Sequence, residues 1–186
     1  MIENIQIEPL KSGKFIKPVH IKYRHDGKDL SWEAVKAHDS VAVLLYHREY
    51  ESFLLVKQFR PPVYLNNSDG YTYELCAGIV DKPLSLKEIA KEEILEECGY
   101  DVSLDSIEKI TTFYTSVGFA GSKQTLYFTE VDESMHTEDG GGIGVEKIEV
   151  VKLPLKEAKD FIYNESYAKT PGLMFAFMWF FSKNKI

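Results

Sequence analysis

The stretch Gly78–Tyr100, GIVDKPLSLKEIAKEEILEECGY, decides how this chain is read. A glycine closes a strand-like run, a short loop crosses Asp81 and Pro83, and a helix opens. Ser85 suits the N-cap, and Glu88 three residues later completes a capping box. Gly99 is the expected stop. At about 100° per residue, Leu86, Ile89, Ala90 and Ile94 mark the face that packs inward. Glu93 and Glu97 fall on that same side, Glu92 and Glu96 lie further round, and Glu88 further still.

Two carboxylates four residues apart repel each other on an open helix. Partial burial raises the cost, because it disfavours charge. A hard divalent cation removes that cost, and carboxylates, carbonyls and waters are what magnesium and manganese take. A solvated acidic helix laced to Lys87 and Lys91 is the plainer alternative, and it suits Glu88 and Glu92. Glu93 and Glu97 are read as metal ligands, with Glu96 assisting and Glu93 also taking part in the chemistry.

The segment resembles the Nudix box, G-x5-E-x7-R-E-U-x-E-E-x-G-U, where U is a bulky aliphatic residue. Gly78, Glu93, Ile94, Glu96, Glu97 and Gly99 fit at the right spacing, and Tyr100 fills the last position loosely. Leu84 stands where the pattern has Glu, and Glu92 where it has Arg. Those two side chains brace loop against helix in the family, so the resemblance implies a replaced brace here. KAHDSVAVLLYH, FLLVKQFRPPVY, YELCAGIVD, SVGFAGSKQTLYFTEV and IEVVKLPL extend the likeness to a branch of Nudix hydrolases. That branch holds UDP-sugar diphosphatases and ADP-ribose pyrophosphatases.

The resemblance implies an α/β fold, the α/β/α sandwich with a mixed sheet, plus a small antiparallel sheet at the N-terminus. It implies Mg2+, with Mn2+ as a substitute, and a small nucleotide-sugar substrate such as UDP-glucose. ADP-ribose cleavage is the rival activity, and a nucleotide sensor without turnover is a third reading. The resemblance adds the Ala77 carbonyl as a metal ligand and Glu146, in GVEKIEV, as the general base. His136 and Glu138 are weaker candidates from the same loop. Gly140–Gly142 and Gly144 lead us to expect a loop that closes over substrate.

Arg60, in QFRPP, can grip phosphate in bidentate fashion. Lys123 offers a second cationic contact, and Tyr64 an aromatic face for a base. No P-loop, G-x-S-x-G elbow or zinc spacing competes.

The 186 residues suffice for one core, and the net charge of −7 argues against nucleic acid or an anionic membrane as partner. Cys76 and Cys98 read as buried, reduced thiols, and no signal peptide or spanning segment is recognisable. A cytoplasmic protein is expected.

Phe15–Arg24 and Leu30–Val35 read as a hairpin around Asp26-Gly27. Further strands are expected over Val41–His47, Phe53–Gln58, Tyr71–Ala77, Glu108–Thr115, Gln124–Val131 and Ile148–Leu153. Pro61-Pro62 ends one strand, and Asn66–Gly70 reads as a loop. Helices are expected over Leu155–Tyr163 and from Thr170-Pro171 onward. Residues 1–36 form the expected dimerisation segment and 37–186 the hydrolase domain. The apolar hairpin needs cover, which points to a homodimer.

Overall fold

A computed structural model describes residues 5–144 and 146–185. Strands β1 (Lys17–His25) and β2 (Lys28–Lys36) pair antiparallel as a separate two-stranded sheet. Asp26 and Gly27 turn the hairpin with φ of 48° and 75°, the left-handed pair that a tight two-residue turn requires.

The main sheet begins with β3 (Ser40–His47) and β4 (Ser52–Phe59). A short helix, α1 (Pro61–Asn67), leads to β5 (Tyr71–Glu74) and β6 (Cys76–Ile79). The long helix α2 (Leu86–Cys98) follows, then β7 (Glu108–Thr115), β8 (Ser122–Val131) and β9 (Ile148–Pro154). Helices α3 (Ala158–Tyr163) and α4 (Pro171–Asn184) end the chain. The seven-stranded sheet runs β5-β4-β3-β8-β7, with β6 on β3 and β9 on β4. Among the strands of the described residues β3 and β8 pair parallel and the other pairs are antiparallel, so the sheet is mixed as expected.

Alternation along β3 and β4 sends side chains to two cores. Val41, Val43, Leu45, Leu54 and Val56 join Ile89, Ala90 and Ile94 of α2. Ala42, Leu44, Phe53 and Leu55 join Leu173, Phe177 and Phe180 of α4 and Phe161 of α3 on the other face. Helices on both faces make the α/β/α sandwich.

Two expectations needed correction. Pro61 and Pro62 end β4 but also open α1, where proline at the first two helical positions costs no hydrogen bond. The run Tyr71–Ala77 is broken at Leu75. β3 and β4 pair through only three residue pairs beside their connecting turn. Beyond that the chain's next run serves both, β5 on β4 and β6 on β3. That handover delivers Ala77 and Gly78 to the start of the acidic helix.

Candidate active site

Helix α2 forms as its sequence dictates. The Ser85 side chain accepts from the Glu88 N–H at 3.3 Å, and the Glu88 carboxylate accepts from the Ser85 N–H at 2.8 Å. Gly99 closes the helix at φ 80°, its N–H bonded to the Leu95 carbonyl at 2.9 Å. Ile89, Ala90, Ile94, Glu97 and Cys98 are buried, so an acid does sit within the apolar face.

Glu97 is 5% exposed, and its Oε2 accepts from the Ala77 N–H at 2.9 Å. One bond cannot offset that burial. Desolvation pushes the Glu97 carboxyl up to about 8, with the Ala77 N–H opposing and the Glu93 charge adding. Glu93 lies against Gly78, where an added Cβ would come within 1.9 Å of Glu93 Oε1. Burial, then Glu96, pushes Glu93 up to about 7; Lys82 opposes, while Glu146 and Glu92 add to the rise. Two half-starved carboxylates at one strand–helix junction fit a divalent cation, which would restore both charges. Among the described residues no three His, Cys, Asp or Glu side chains are already gathered as a cage. The hard oxygen donors nonetheless suit magnesium or manganese.

The other sequence candidates are distributed as follows. Glu146 is exposed, within Coulombic reach of Glu93, and its Oε2 accepts from the Ile143 N–H at 3.2 Å. Its loop is more constrained than its glycines suggest. The Gly141 and Gly142 N–H groups bond the Glu97 and Glu96 carbonyls at 2.9 and 3.0 Å. These are orphan acceptors at the end of α2, so the loop caps the helix that carries the acids. Positive φ at Gly140, Gly141 and Gly142 accompanies this packing, and a Cβ at Gly140 would meet the Glu97 carbonyl oxygen at 2.6 Å. Val145 lies outside the described residues.

Arg60 is near the acids and already held. Its Nε and Nη2 donate to the two oxygens of Glu74, both at 2.8 Å. Thr72 Oγ1 donates to Glu74 Oε1 at 2.5 Å. Burial works against the Glu74 charge, yet the Arg60 bonds and charge, with Thr72, hold its carboxyl below the usual range. Arg60 feels both Glu97 and Glu146, so Glu74 fixes a guanidinium beside the acidic junction. Tyr64 stands on α1 with its ring centroid 5.7 Å from that of Phe59. Lys123 is exposed at the start of β8, its Nζ 5.8 Å from the Tyr114 ring centroid. His136 lies against Tyr100 at 4.9 Å between ring centroids, and Glu138 gives its carbonyl to packing against Gly99.

The sequence reading missed Glu74 and a cavity of about 430 Å3. That cavity is lined by Glu74, Ala77, Phe113, Ser116, Gln124 and Thr170 among others. It adjoins the box strand on the α4 face of the sheet. Only the polar residues scattered through otherwise apolar strands signalled it. Both cysteines are buried and unpaired in disulfides. Among the described residues no helix is long and apolar enough to cross a membrane.

No family model matches the chain. It is 37% identical over 210 aligned positions to the uridine diphosphate glucose pyrophosphatase NUDT14 of Bos taurus, covering 97% of this chain and 95% of that protein. The protein of that name from Mus musculus is 36% identical, with 98% and 95% covered. A GDP-mannose pyrophosphatase of Pectobacterium atrosepticum is 39% identical over 121 aligned positions, 64% of this chain and 61% of that one.

Proposed function

The chain belongs to the Nudix hydrolases, and from that premise we propose that it is a metal-dependent nucleotide-sugar diphosphatase, cleaving UDP-glucose to UMP and glucose 1-phosphate. The observation that carries the reading is the Glu93–Glu97 pair. Glu97 is buried and tied to the Ala77 N–H, Glu93 lies half-buried against Gly78, and burial raises the pKa of both.

A bound divalent ion, Mg2+ in this reading, supplies charge neutralisation on the diphosphate and a more acidic water. Glu93 and Glu97 would hold it, with Glu96 and the Ala77 carbonyl as the protein's further share. The oxygen of water bonds to one phosphorus, and the bond from that phosphorus to the bridging oxygen breaks. Glu146 leaves the Ile143 N–H and takes the proton of the attacking water. Arg60, oriented by Glu74, binds phosphate oxygens, and Lys123 is a secondary contact. The cavity beside Ala77 accepts one end of the substrate, with its apolar wall and a few convergent polar groups. Tyr64 would have to leave its packing on Phe59 to stack on a base.

The β1–β2 hairpin supports a homodimer. Ile21 and Trp32 remain 48% and 54% exposed on it. It reaches the body through Trp32 Nε1 to the Gly118 carbonyl and Val35 N–H to the Phe119 carbonyl, both at 2.7 Å. A second subunit over residues 1–36 would cover that face, leaving 37–186 as the hydrolase domain. Two buried thiols without a disulfide agree with a cytoplasmic setting.

The test is turnover of UDP-glucose, GDP-mannose and ADP-ribose with Mg2+, products identified by mass. UDP-glucose yielding UMP and glucose 1-phosphate supports the reading. Preference for ADP-ribose moves the substrate within the family, and metal-dependent binding without products identifies a sensor.

A further inference from the structure

The loop between β6 and α2 exposes Asp81, Lys82, Pro83 and Leu84 to solvent. Its entry is fixed by the Val80 N–H, bonded to the Asp39 carbonyl at 2.8 Å. Its exit is fixed by the Ser85–Glu88 capping box. Between those points, among the described residues, the tie to the helix body is the bond from Lys82 Nζ to Glu92 Oε2 at 2.6 Å.

The pair reverses the polarity that the box pattern leads one to expect. The acid sits on the helix at Glu92, and the base sits in the loop at Lys82. Leu84 has no charge to offer Glu92, and an arginine at position 92 would have faced the Lys82 ammonium. Glu92 and Lys82 are therefore consistent with each other and with neither pattern residue. The ammonium also lies within Coulombic reach of Glu93 and Glu96. Being partly exposed, the bond adds little to global stability.

We propose that Lys82 and Glu92 are positioning residues, a charge-reversed brace that locks the loop after Gly78 onto the helix presenting Glu93 and Glu97. This rests on the reading of those two acids as metal ligands.

The test compares the native protein with Lys82→Met, Glu92→Gln, the swap Lys82→Glu/Glu92→Lys, and Lys91→Met. The last removes a helix lysine that pairs away from the loop, with Asp101 at 2.9 Å. Hydrogen exchange of the 81–86 amides is followed in metal-free protein, and kcat and KM with Mg2+ and UDP-glucose. Both brace singles should speed exchange in this segment and lower kcat by roughly tenfold, with a smaller change in KM. The swap should recover both, and Lys91→Met should match the native protein. Unchanged exchange in the singles, or a swap no better than they are, overturns the brace. Failure of the metal reading shows separately, as native protein that binds no Mn2+ in a paramagnetic titration, and it leaves the exchange result standing.

Discussion

Glu93 occupies the space that a side chain on Gly78 would need: a Cβ there would stand 1.9 Å from Glu93 Oε1 and 2.6 Å from its Cγ. A side chain at position 78 would force the Glu93 carboxylate out of its present place. The helix and the strand thus meet closely at the Glu93 carboxylate.

Gly78→Ala should therefore displace Glu93 while leaving the strand's backbone conformation accessible. Turnover should fall by roughly a hundredfold, as expected for an ångström-scale misplacement of a reacting group. Circular dichroism should remain native. A fully active Gly78→Ala protein would show that Glu93 is free to move without consequence.

Glu97→Gln should abolish most turnover, by at least about a hundredfold, since a second oxygen ligand is lost with its charge. Mn2+ affinity, measured directly by titration, should fall with it. Retained affinity would remove Glu97 from the ligand set.

The same acids set a pH dependence of stability in metal-free protein. Their folded pKa values, about 7 for Glu93 and about 8 for Glu97, lie above the unfolded value near 4.5. The folded state therefore holds extra protons between those limits, and this contribution is present at low pH and lost as pH rises through about 7 to 8. His47 works the other way, since burial lowers its pKa. The reading is thus the difference between native and Glu97→Gln protein in chelator. Native melting temperature should drop relative to the variant between pH 5.5 and 8.5. Parallel curves would contradict the burial of charge at Glu97.

Much of this was legible in the sequence because it is local. Ser85, Glu88 and Gly99 mark a helix by caps alone, and helical periodicity alone places Glu97 within the apolar face. What was missed depends on partners distant in sequence. Tyr71–Ala77 reads as one strand, since nothing within it announces that β5 serves β4 and β6 serves β3. Pro61-Pro62 stops a strand and starts a helix with the same two rings. Glu74 acquires meaning only from Arg60, fourteen residues away. The glycines at 140–142 look like hinges, but the Gly141 and Gly142 N–H groups are spent on the Glu97 and Glu96 carbonyls.

That capping shapes the expectation for Glu146. Its loop is anchored to the acidic helix, so only the segment beyond Gly142 needs to move. Glu146→Gln should lower kcat by about 100-fold or more and leave KM within a few-fold. A change confined to KM would make Glu146 a substrate contact and put the base elsewhere.

Removing residues before Ala37 takes away the whole β1–β2 sheet, which pairs with no strand of the main sheet among the described residues. The shortened protein should sediment as a monomer, and the full chain as a dimer at micromolar concentration. A monomeric full chain with undiminished turnover would refute the homodimer as the active form.

Hydrolysis of a nucleotide-sugar diphosphate at the Glu93–Glu97 junction is tested most directly by product identification in 18O water. UDP-glucose is incubated with the protein and Mg2+, alongside Glu97→Gln and a chelated control. UMP and glucose 1-phosphate should form in equal amounts, one of them carrying a single 18O, with no more than a trace from the variant and none in the control. Equal product formation by Glu97→Gln, or turnover undiminished in chelator, would contradict it.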